Sequence, residues 1–126
     1  MITETTTVND ILDCVYQGIV DFKIYPRLRT TKSENGVVCY GRVLDVMKTA
    51  AFRAFERNGT HIKIHFHPEH PCDLIPNRDA ELLFLPILMM FVEETQAIII
   101  SEHGTDARCI PVWKKLAESG RFFVTL

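Results

Sequence analysis

Thr60-His61-Ile62-Lys63-Ile64-His65-Phe66-His67-Pro68 alternates apolar and polar residues without a break from His61 to His67. Successive side chains of a strand point to opposite faces, so Ile62, Ile64 and Phe66 share one face. His61, Lys63, His65 and His67 share the other. Pro68 brings no N–H to a ladder and ends the strand. This stretch predicts a half-buried strand with a histidine-rich face, and the rest of the fold is read outward from it.

Upstream, Leu44, Met47, Ala50, Ala51, Ala54 and Phe55 recur at helical spacing, predicting a helix over 43–57 that Asn58-Gly59 closes with a left-handed cap. Val37-Val38-Cys39-Tyr40 is a short β-rich run after the turn residues Glu34-Asn35-Gly36. Residues 21–32 read as an irregular strand or loop, interrupted by Pro26. Val8, Ile11, Leu12, Val15, Ile19 and Val20 form an amphipathic helix behind the caps of Thr5-Thr6-Thr7. Downstream, Glu69 to Asn77 holds Pro71 and Pro76 and reads as an ordered loop. A third helix starts at Asn77 or Asp79 and runs to Glu94, with Pro86 as a kink or early break. Residues 97–101 predict a buried strand, Glu102-His103-Gly104-Thr105-Asp106 a hairpin turn and residues 107–112 its partner. A helical turn over 113–119 and a strand over 121–126 follow. The expected class is α/β (or α+β), a single mixed sheet flanked by about three helices.

The length of 126 residues supports one domain over 1–126 with a real core. Fourteen Lys and Arg against sixteen Asp and Glu give a net charge of −2, which argues against a nucleic-acid or anionic-membrane partner. Lys114 and Lys115 beside Trp113 do not change that. The opening residues MITETTTVND lack a basic and then apolar leader, and the longest apolar run, Leu82 to Val92, is about half a bilayer span. Cys14, Cys39, Cys72 and Cys109 form no CxxC pair, which predicts reduced thiols and a cytoplasmic setting. The apolar helix around Phe84, Leu88 and Phe91 is core by default, and its apolar residues nearly all round also allow a homodimer face.

Four of the five histidines fall between His61 and His70. Two histidines at i and i+2 on a strand can take two cis positions on one metal ion. A carboxylate at a helix start, such as Asp79, is held by the helix's amides and can supply a third. A cation held by two imidazoles and one carboxylate stays positive, so its water ionises near neutral pH and can attack a carbonyl. The alternative is a set of solvated histidines on a half-exposed strand, a pH-sensitive surface of a small α/β protein.

The order His65-Phe66-His67-Pro68, seven residues (Glu69 to Ile75), Pro76, Asn77-Arg78 and Asp79 resembles the JAB/MPN (JAMM) metallopeptidases, and most of all their RadC-like branch. The family pattern is His-x-His-Pro, seven residues, Ser, two residues, Asp. The resemblance covers residues 43 to 103 and implies a cytidine-deaminase-like sandwich. It implies Zn²⁺ on His65, His67 and Asp79, and hydrolysis of an amide or isopeptide bond in a protein or peptide substrate. Glu34, in Glu34-Asn35-Gly36 before an apolar run ending at Gly41, would be the general base, or else an ordinary turn residue. Pro76 stands where the family has the Ser that steadies the oxyanion, a donor whose loss costs about 10²–10³ in rate. Either Asn77 substitutes through its side-chain amide, or the domain binds metal and serves as an inactive interaction or inhibitor module.

His61 is expected at the rim, His70 in solvent, Cys72 as at most a stray ligand or redox-sensitive thiol, and His103 in the hairpin turn.

Overall fold

A computed structural model describes residues 1–26, 36–37, 39–68 and 77–126, with Asn77 and Arg78 through their backbone alone. Helix α1 (Val8–Tyr16) opens with a capping box in which Thr7 accepts from the Asp10 amide at 3.1 Å and Asp10 accepts from the Thr7 amide at 2.8 Å. Strand β1 (Asp21–Ile24) follows, regular where the sequence suggested an irregular segment. Helix α2 (Tyr40–Asn58) buries Val43, Met47, Ala50, Ala51 and Ala54 along one stripe, and Gly59 at φ 66° caps it as expected. Strand β2 is Lys63–Phe66. Helix α3 (Asn77–Glu94) runs through Pro86, which lies on its exposed side. Strand β3 (Ile98–Ser101), a 3₁₀ turn (Ala107–Cys109), helix α4 (Ile110–Ala117) and strand β4 (Phe122–Val124) complete the order.

The fold is α/β, one sheet with helices against it, as the sequence predicted. Its four strands lie in chain order and all their pairings are parallel, so the sheet is not the mixed one expected. The expected hairpin of residues 102–112 is absent for the same reason. A parallel partner needs a crossover, and the chain supplies one by turning helical after Asp106. The Asp106 side chain accepts from the Arg108 amide at 3.0 Å, and Pro111 falls in the first turn of α4. Turn chemistry and helix-cap chemistry use the same residue types, and here the cap prevails.

Alternation within the strands divides the sheet into two unlike faces. Phe22, Ile24, Ile64, Phe66, Ile99 and Phe122 are buried in the core with the helices' apolar stripes. In register on the other face stand Lys23, His65, Ile100 and Phe123, with Asp21, Lys63 and Ile98 as the row below. These are half-buried or exposed, Phe123 by 53%. Arg121 ties β4 to the carboxyl end of α3, donating to the carbonyls of Val92, Thr95 and Ala97 at 2.8–3.0 Å. Among the described residues no helix is long and apolar enough to cross a membrane.

Candidate functional site

In parallel α/β sheets, ligands gather at the carboxyl ends of the strands, where loops diverge and backbone groups are free to serve them. At that end of β1, β2 and β3 the chain brings together Lys23, Tyr25, His65, His67, Glu102 and His103. Alternation explains most of this. Residues 23 and 25, 65 and 67, and 100 and 102 fall on the helix-free face of adjacent parallel strands and their extensions.

His65 is engaged on both ring nitrogens. Its Nδ1 lies 2.7 Å from Glu102 Oε1 and its Nε2 lies 3.1 Å from Asp21 Oδ1. Glu102 also accepts from the Thr125 hydroxyl at 2.6 Å. Burial pushes the Glu102 carboxyl up, but the hydrogen bonds from Thr125 and His65 and the neighbouring histidines outweigh it and hold it below the usual carboxylate range.

His67, just past the end of β2, is only 5% exposed, and among the described residues neither of its ring nitrogens has a hydrogen-bond partner. Its ring stacks on Tyr25 at 4.2 Å between centroids and lies 5.2 Å from the ring of His103. Burial, and next the charge of His103, pulls its pKa down to about 4, so it is a neutral imidazole at physiological pH. A neutral, buried and unpartnered imidazole is the form in which histidine ligates a metal.

Of the expected ligand set, the carboxylate stands elsewhere. Asp79 sits in the first turn of α3 as predicted, but its Oδ1 receives the Arg108 guanidinium at 2.9 Å, and that guanidinium also holds the buried Asp106. Among the described residues no three His, Cys, Asp or Glu side chains form a group that could hold a metal ion, so His65, His67 and Asp79 are not brought together as a triad. Glu34 and Pro76, with His70 and Cys72, lie outside the described residues, as does the side chain of Asn77.

His103 was expected in a hairpin turn and instead ends beside His67. The signal for Glu102 was the run Ile98-Ile99-Ile100-Ser101-Glu102, whose alternation places it with His65 once β3 is known to be a parallel neighbour. No local pattern marked His103. His61 lies at the other end of β2, against Phe55 and 2.5 Å from the Gln96 carbonyl, away from the site rather than at its rim. Cys14, Cys39 and Cys109 are free thiols, and burial pushes Cys109 up to about 11.

No protein-family model and no curated protein matches the chain. A crystal structure of dihydroorotase from Saccharomyces cerevisiae, in complex with 5-fluoroorotic acid, superposes with a TM-score of 0.71 at 21% identity. The match covers 99% of this chain and 37% of that one. The chain thus spans little more than a third of that enzyme, and the likeness is one of fold.

Proposed function

We propose that this chain is a metal-dependent hydrolase of amide bonds that holds zinc at the carboxyl end of its sheet. The observation that carries the reading is His67, a buried neutral imidazole with both nitrogens unpartnered among the described residues. Burying such a group without a partner costs free energy, and an ion is one of the few groups that remove the cost. His103 is the nearest second imidazole, and the engagement of Asp79 by Arg108 makes the pair His67 and His103 a better ligand core than the set read from the sequence. Zinc bound there would supply a water that ionises near neutral pH. Glu102 and Asp21 fix the ring of His65 beside it, and Lys23, in register with His65, offers a positive charge to an anionic substrate. The dihydroorotase likeness bears on fold, and a fold by itself carries no activity. It does suggest the first probe, a small cyclic carboxylate such as 5-fluoroorotic acid.

Binding without turnover is the second reading, favoured by the double engagement of His65 and by Pro76 in the position of the family's Ser.

Elemental analysis of the purified chain tests the metal. Roughly one zinc per chain is expected, falling below roughly a tenth in His67→Ala and little changed in Asp79→Ala. Zinc lost with Asp79→Ala as well as with His67→Ala would restore the ligand set His65, His67 and Asp79. Turnover of peptide, isopeptide and cyclic amide substrates by the loaded protein, abolished in His67→Ala, supports the hydrolase. Stoichiometric zinc and tight binding of 5-fluoroorotic acid with no turnover would favour the binding module.

A further inference from the structure

Resting on that reading, we infer that Glu81 is the positioning residue of the site, holding the loop that places His103 against His67. Glu81 lies on α3, only 6% exposed, and its carboxylate is spent wholly on the loop after β3. Oε1 accepts from the Thr105 amide at 2.8 Å and the Thr105 hydroxyl at 2.9 Å, and Oε2 accepts from the Asp106 amide at 2.7 Å. The other flank of the loop is pinned to the end of β4. His103 donates its amide to the Thr125 hydroxyl at 3.2 Å, and Gly104 donates to the Thr125 carbonyl at 2.7 Å. Between these clamps His103 takes φ 57°, the one non-glycine residue of positive φ among the described residues. Histidine enters this left-handed region more readily than most residues, and the two clamps hold it there. Gly104 shows how little play remains, since a Cβ there would stand 2.6 Å from Val124 Cγ1 and 2.9 Å from Trp113 Cη2. An acidic side chain outside the site therefore sets the direction of an imidazole that would ligate the metal.

Glu81→Gln in the full chain preserves shape but turns an amide N–H₂ toward the loop's own donors. Two readouts follow it: the proton NMR contact between the His103 and His67 rings in chelator-treated protein, and the affinity for Co²⁺. The variant is expected to unfold cooperatively like the wild type, to lose the ring contact and to bind Co²⁺ about 10–100-fold more weakly. Glu94→Gln, at the far end of α3, serves as the control and moves neither readout. A folded Glu81→Gln that keeps the ring contact, or that loses it with Co²⁺ affinity unchanged, overturns the inference. Should Glu81→Gln fail to fold, Thr105→Val takes its place. That position is exposed and loses only the hydroxyl bond, so a smaller change in the same direction is expected, and an unmoved ring contact overturns the inference. A wild type that does not bind Co²⁺ sinks the hydrolase reading, while the ring contact still decides the role of Glu81.

Discussion

His65 and His67 stand two residues apart on the same side of one strand and meet opposite fates. His65 has a carboxylate on each ring nitrogen, whereas His67 has none and is covered by Tyr25 and His103. The strand gives them one direction, and the neighbouring strands give them different chemistry. Asp21, one row below in register with Lys63, and Glu102, just past the end of β3, reach the two nitrogens of His65, while the neighbours of His67 are aromatic rings. The lesson is that a His-x-His motif names two donors without saying which of them is free.

The residue between the two histidines holds the strand against the core, and its removal has the largest expected effect. Phe66 is fully buried against Phe84 and Phe91, and Phe66→Ala should cost about 3–5 kcal/mol in urea unfolding and blur both environments together. Less than about 1 kcal/mol would mean that the strand is not held by this core. A pH scan then separates the two. The unfolded chain takes up a proton at His67 near pH 6.5, but the folded protein does so only near 4, so the unfolded state binds more protons between these values. Stability of the metal-free protein should therefore fall as pH drops from 6.5 to 4, by on the order of 2–3 kcal/mol at the lower end. His67→Phe should flatten that slope, and an unchanged slope would place the titration elsewhere.

Glu102 also loses stability toward acid by the same linkage, although here the fold favours the charged form rather than the neutral one. Its folded pKa is depressed, so its contribution is present above the ordinary carboxylate range and disappears as pH falls through the lower folded value. Glu102→Gln should cost about 1 kcal/mol at pH 7 and release the His65 ring, seen as a shift of its Hε1 resonance with little change at His67. The smallest effect belongs to Asp79→Asn. Its pair with Arg108 is about half exposed, and thermal unfolding should register no more than about 0.5 kcal/mol. A larger loss would show that Arg108 depends on Asp79 to reach Asp106.

The elements that could be read from the chain are those whose cause is local. Gly59 closes α2 because a left-handed residue is needed there, and the alternation around Ile64 marks β2 wherever its partners lie. The segment after Ser101 is ambiguous in sequence because Gly104-Thr105-Asp106 suits a hairpin as well as it suits a loop ending in a helix cap. Which one forms depends on Glu81 and Thr125, 24 residues behind and 20 ahead of Thr105. Contacts at that separation leave no mark in a window of a few residues.

The sequence alone determined that one face of a strand carries His65 and His67, that a helix ends before it and another begins after Pro76, and that the class is α/β. Those follow from side-chain periodicity and backbone preference, which act within a turn or a strand. The tertiary structure alone decided that every strand pairing is parallel, that Asp21 and Glu102 claim His65, that Arg108 claims Asp79, and that His103 comes to His67. A side chain's hydrogen-bonding partner is whichever group the packing brings within 3 Å or so, and packing is a property of the whole chain.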